Sequence, residues 1–397
     1  MKDSAALVNM DTRVAAWWWI VSIIFLFCGA VIGLGLRFYF VKPMPVRFQY
    51  WLHAHSHVML LGWVFNALFL LVYQQFFRVF SRIEKICIGL LQVGVLGMLI
   101  SFPFQGYGPV SIVFSALHLT VADVLAMLLW IRTKSPAFFV VGSEHTRRFL
   151  RMGAFFQLLS SLGPFMLAHL MAGSNHASGI EHTALYQLSI FFYLHFLYNG
   201  LFFYLVLALW LPSAIITRSS QYLMALGTVL IFAHAILYVD ERWLWSWVAA
   251  IGSILQLSVW LTWMHQNFDV LRRKAGLILL AAVTVKLILQ VGGSFPPLSH
   301  LVVTQRFWLM AYLHFLFLGI YTPFIWAMKG LSRRFLPYGL YWLMLLGTEG
   351  LLLSPYLFRK TTFSAEAWYA CIFAVYAGLV VLLLGITYRL SPYRRHE

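Results

Sequence analysis

The sequence is poor in charge, and poorest in acid. Of 397 residues only 10% are Asp, Glu, Lys or Arg, and Asp and Glu together number 12. A water-soluble domain carries about 25% charged residues, so a chain that is 62% apolar cannot cover a water-facing surface. This excludes a soluble globular enzyme and leaves a membrane protein. Cysteine is scarcer still: Cys28, Cys87 and Cys371 all lie in apolar runs, with no Cys-x-x-Cys and no Cys-x-x-Cys-His. These absences argue against a disulfide framework and against covalently attached c-type haem. The first apolar run, 14–40, is longer than a signal-peptide core and lacks a small-residue cleavage site, so it is read as a retained span. What the chain has in excess is histidine, 14 in all, more than Asp and Glu combined.

Crossing about 30 Å of hydrocarbon takes about 20 apolar residues in a helix. Twelve such runs occur, at 14–40, 49–76, 83–104, 109–132, 148–172, 183–211, 220–239, 243–265, 274–293, 305–328, 336–356 and 365–389. The expectation is an all-α polytopic membrane protein forming a single transmembrane domain over 1–397, in contact with lipid. Orientation follows from Lys and Arg, because positive loops stay cytoplasmic. With both termini cytoplasmic, 20 of the 28 basic residues fall inside, 7 fall outside and Lys286 lies within a span. The net charge of +16 is then topological, and it gives no reason to expect a nucleic-acid partner.

On this map His53, His55, His57, His118, His169, His176, His182, His195, His234, His300 and His314 fall in the outer half or outer loops. Only His145, His265 and His396 lie on the cytoplasmic side. A polar ring in hydrocarbon costs free energy unless it finds a partner, so eleven at one depth point to a shared use. Three of them sit in a repeat. Tyr193-Leu194-His195-Phe196-Leu197 and Tyr312-Leu313-His314-Phe315-Leu316 are identical, and each histidine is followed five residues later by glycine, Gly200 and Gly319. His57 and Gly62 repeat that spacing. The three histidines stand 138 and 119 residues apart, about four spans each, which divides the chain into repeat-like groups of roughly 14–132, 148–265 and 274–389. Phe and Leu are abundant here, and a lone buried histidine commonly just bonds a neighbouring helix. A rare residue recurring at one depth in the second helix of each group favours metal ligation instead.

Neutral imidazole is the usual ligand for haem iron and for copper, and converging helices can hold either without exposing backbone. His53 and His57 are four residues apart and share a helix face. His55 lies about 200° around from each, so His55 and His57 can serve different cofactors, or one ligates while the others support it. Among intramembrane charges, Asp123, Lys286 and Glu349 are functional candidates by position. The ordinary expectation for Lys286 is that it snorkels or pairs with an acid, while Gln290, four residues on, hints at a polar pocket.

These residues resemble the catalytic subunit of haem–copper oxidases and nitric oxide reductases. His55-Ser-His57-Val-Met-Leu-Leu-Gly62-Trp63 with Asn66-Ala67-Leu68-Phe69 looks like that family's second span. His314 with Gly319 looks like its span-ten haem ligand, and His195 and His234 fall where its non-haem metal ligands lie. The resemblance implies twelve helices in a pseudo-threefold, three-by-four arrangement. It also implies haem b between His55 or His57 and His314, and copper or non-haem iron near His195 and His234, with His53, His118 and His169 as further ligand candidates. Electron transfer in a bacterial inner membrane follows from it, with reduction of O2 or NO and a cytochrome, quinol or partner subunit as electron donor. No residue is assigned to catalysis, and Tyr198 and Tyr312 are the candidates for that role. The departures are Tyr312 where the family has a second span-ten histidine, Ala235 after His234 where it has another, and Tyr198 three residues after His195 rather than four.

His53-Ala54-His55 also resembles the His-Ala-His motif of the NnrS family, polytopic haem and copper proteins linked to nitric oxide stress. A non-catalytic haem sensor or assembly factor is the alternative in which the missing histidines matter most. A secondary transporter, with a midplane site at broken helices, is a further alternative that the clustering of histidine disfavours.

Overall fold

The computed structural model describes residues 2–77, 79–135, 142–173, 183–240, 242–331, 336–358 and 364–390. Among these residues every regular element is helical. Eleven helices are long and apolar enough to cross a membrane. They are α1 (Thr12–Phe38), α2 (Phe48–Phe76), α3 (Arg82–Gln105), α4 (Pro109–Lys134), α5 (Glu144–Ala172), α6 (Ala184–Trp210), α7 (Arg218–Ile236), α8 (Trp243–Gly292), α9 (Phe307–Met328), α10 (Leu336–Ser354) and α11 (Ala365–Arg389). At 50 residues α8 is far longer than one crossing needs, and it leaves helical geometry at Asn267 and Gly276. Gly276 adopts φ 84°, ψ 165°, a conformation that strains any residue bearing a Cβ. The helix therefore supplies the two expected spans 243–265 and 274–293, which brings the crossings to twelve.

Composition explains why the helices stay in lipid and polarity explains where they stop. Large apolar side chains such as Phe104, Ile251, Leu343 and Val381 are exposed, an arrangement suited to hydrocarbon and unsuited to water. Helix starts carry side-chain caps: the hydroxyls of Ser143, Thr183, Thr217 and Ser364 accept from backbone N–H groups three residues on. Ser81 and Glu84 form a capping box at the start of α3, and buried Glu84 also accepts from the Tyr73 hydroxyl at 2.9 Å.

The described chain packs as two compact units. Unit one comprises 1–74, 78–121 and 310–397, and unit two comprises 75–77 and 122–309. In unit one α1 packs against α2 and α11, α2 against α3, and α10 against α11. Buried polar groups tie these helices: the Trp63 indole donates to Thr322 Oγ1 at 3.0 Å, and the Trp18 indole donates to Asn66 Oδ1 at 2.8 Å. In unit two α5 packs on α6 and α7 on α8. The Trp260 indole donates to Thr284 Oγ1 at 2.9 Å, holding the two halves of α8 together.

The sequence repeat has a structural counterpart. Each repeated histidine is followed at once by a π-helical segment: Val58–Phe65 after His57, Phe196–Phe202 after His195 and Phe315–Tyr321 after His314. Such segments widen the helix, re-aim the side chains around them and occur often at functional sites. The repeated glycine lies inside each one. At two of them it admits a neighbouring helix, since a Cβ at position 62 would come within 2.8 Å of Phe25 and one at position 200 within 2.6 Å of Phe156.

Candidate functional site

His55 and His314 of unit one share one polarity. His55, on α2, donates from Nδ1 to the Gly29 carbonyl of α1 at 2.8 Å. Its ring fills the space over Gly33, where a Cβ would stand 2.6 Å from Cε1. His314, on α9, donates from Nδ1 to Glu349 Oε1 of α10 at 2.8 Å. That oxygen also faces the Arg37 guanidinium at 3.8 Å, and Arg37 in turn lies 5.2 Å from the Tyr376 ring centroid. Thus α1, α9, α10 and α11 converge on His314, and α1 links it to His55, since Gly29 of that helix meets His55 and Arg37, about two turns on, lies 3.4 Å from His314 Nδ1. In both rings Nδ1 is occupied, while Nε2 has no hydrogen-bond partner among the described residues.

His57 points away from His55, as the spacing predicts. Its Nδ1 donates to the His53 carbonyl at 2.9 Å, its ring packs 4.6 Å from Phe102, and its Nε2 lies 3.5 Å from the Tyr107 hydroxyl. His53 shares this surroundings, with its ring centroid 4.6 Å from that of Tyr107. His118, on α4, is 1% exposed, with Nε2 unpartnered and its ring 5.4 Å from Phe65. Span two therefore presents two differently facing histidine environments, and His55 is the member that packs on α1, the helix whose Arg37 reaches His314.

Unit two spends its histidines differently. His195 donates from Nε2 to the Thr228 carbonyl at 2.9 Å, and its Nδ1 faces Asn199 Nδ2 at 3.4 Å. His234 has the Ile231 carbonyl 3.0 Å from Nδ1 and the Gln290 carbonyl 2.9 Å from Nε2. Ser294 Oγ also lies 3.2 Å from His234 Nε2, so in both rings each nitrogen faces a protein polar group. His169 is exposed on α5, and among the described residues no group of three or more His, Cys, Asp or Glu side chains is arranged to hold a metal ion. Half-buried Tyr198 has its ring centroid 6.4 Å from that of His195, and half-buried Tyr312 lies two residues before His314, about 200° around the helix from it. His176, His182 and His396 lie outside the described residues.

The intramembrane charges divide as well. Asp123 accepts from Gln157 at 3.0 Å and from Ser161 at 2.7 Å, so it ties α4 to α5. Glu349 was legible as an intramembrane acid, but its union with Arg37 and His314 was not. Lys286 departs from both ordinary expectations. It is 1% exposed, so it does not snorkel, and its Nζ has no hydrogen-bond partner. Outside the spans, Arg242 and the Trp245 indole hold the Asp240 carboxyl well below the usual carboxylate range.

The donor set of unit one fits a haem: two imidazoles on different helices, each fixed in tautomer and orientation through Nδ1 and each presenting a free Nε2. The donor set of unit two does not fit copper or non-haem iron as arranged. No protein-family model matches the chain, and no curated protein matches it.

Proposed function

We propose that the chain is a haem-binding electron-transfer protein of a bacterial inner membrane, with His55 and His314 as axial ligands of one low-spin haem b. The observation that carries this reading is the pairing of those two rings, both held at Nδ1 by a buried acceptor and both free at Nε2. When bound, such a haem supplies reversible one-electron chemistry. The residues supply its setting. The Gly29 carbonyl and Glu349 orient the ligands, and Gly33 leaves room for the His55 ring. The positive-inside distribution supports cytoplasmic termini, and the recurring histidine, π segment and glycine support a pseudo-threefold, three-by-four arrangement resembling the haem–copper oxidase subunit. Electrons would come from a cytochrome, a quinol or a partner subunit.

A second reading has its own observation. Reduction of O2 or NO in that family uses a second metal, whereas in His195 and His234 each ring nitrogen faces a protein polar group. That favours a haem protein without gas turnover, in the manner of a sensor, an assembly factor or an NnrS-like stress protein. Purified full-length protein from haem-sufficient cells is expected to show a Soret band with low-spin α and β bands. Absence of a Soret band overturns the proposal. Turnover of O2 or NO with one haem and no second metal separates the two readings.

A further inference from the structure

Unit two holds a buried cation that haem binding does not use. Lys286 lies in the second half of α8, and its ammonium sits 4.4 Å from the centroid of the Phe203 ring on α6. One turn along both helices, Gln290 places Nε2 3.5 Å from Asn199 Oδ1, while Gln290 Oε1 is buried without a partner. Asn199 in turn faces His195. The facing surfaces of α6 and α8 thus enclose an unpartnered donor and an unpartnered acceptor, on side chains that are 1% and 7% exposed.

No described carboxylate of this unit balances the charge. Asp123 accepts from Gln157 and Ser161, Glu144 faces Arg148 and Arg151, Asp240 binds Arg242, and Asp269 binds Arg272. A ring face offsets only part of the desolvation of an ammonium, and orphaned buried polar atoms mark places where a ligand or water belongs. The charge decides which ligand. A metal cation would be repelled by Lys286 and would find both nearby histidines occupied. Water alone would satisfy the hydrogen bonds of a neutral amine, whereas an anion beside Nζ is what keeps Lys286 charged.

We infer that the buried cluster of Lys286, Gln290, Asn199 and Phe203 binds a small monovalent inorganic anion, with Lys286 as its counter-ion. The anion accepts from Nζ, and a water held against it donates to Gln290 Oε1. This site is independent of haem binding.

The test is the thermal midpoint of the purified full-length protein, titrated with sodium chloride or sodium nitrate at constant ionic strength against gluconate, a bulky organic anion. The wild type is expected to show a saturable rise in midpoint. Lys286→Met is expected to lose that rise, with apparent affinity weakened about thirtyfold or more, the usual consequence of removing one partner of a buried charge pair. Gln290→Glu is expected to lose it by another route, since the new carboxylate supplies an internal counter-ion. A wild type indifferent to both anions overturns the inference, as does a response of equal size in Lys286→Met or Gln290→Glu.

Discussion

Unit one and unit two carry the same short sequence element and use its histidine in opposite ways. In unit one His314 gives Nδ1 to Glu349 and keeps Nε2 free, and His55 does the same with the Gly29 carbonyl. In unit two His195 gives Nε2 to the Thr228 carbonyl, and His234 meets a carbonyl at each nitrogen. The repeated π segment and glycine thus report how a helix is built, while the ring nitrogen that meets the protein differs between His314 and His195. Lys286 deepens the contrast by placing a cation in the unit whose histidines are already satisfied.

The largest expected effect breaks the contrast from the side of unit one. His314→Ala or His55→Ala should abolish the low-spin spectrum, and a spectrum that survives either substitution refutes that ligand. Next comes the support behind His314. Glu349→Ala removes the acceptor of Nδ1–H and leaves Arg37 without its carboxylate. Haem affinity should fall about 10–100-fold, measured by transfer to apomyoglobin, while Glu349→Gln, which keeps an acceptor oxygen, should fall less.

Substitution in unit two should act on stability instead. His195→Leu removes the bond between α6 and α7, at a cost of about 0.6–2 kcal/mol for an interhelical hydrogen bond in a membrane. The expected result is a lower denaturation midpoint in detergent with haem content unchanged. The smallest effect concerns pH. Asp240 has its carboxyl lowered by Arg242, so the turn between α7 and α8 keeps this contribution above the ordinary carboxylate range and loses it as pH falls through the lowered value. Asp240→Asn should therefore leave the denaturation midpoint of the protein flat between pH 5 and 8 relative to wild type. A divergence opening within that window contradicts the assignment.

Much of this was readable in the chain. Apolar run length located the crossings, because only continuous helix satisfies the backbone in hydrocarbon, and the break in α8 falls in the polar stretch between Asn267 and Gly276. The opposed faces of His55 and His57 followed from helix periodicity. What spacing does not encode is which nitrogen a ring uses. That depends on acceptors distant in sequence, Gly29 for His55 and Glu349 for His314, and on carbonyls of other helices for His195 and His234. Arg37 gave only the signal of a basic residue at the outer end of the first span, which positive-inside counting treats as an exception and the structure turns into a partner of Glu349. Lys286 was visible as a charge within a span, yet its isolation depends on which side chains fail to reach it.

The central claim is that the ligands lie in unit one alone. Haem-to-protein ratio and low-spin absorbance, measured in parallel on the purified wild type, His314→Ala and His195→Leu, test it most directly. The account predicts the low-spin haem in the wild type and in His195→Leu, and its loss in His314→Ala. A wild type without haem, or a low-spin haem kept by His314→Ala and lost from His195→Leu, contradicts it.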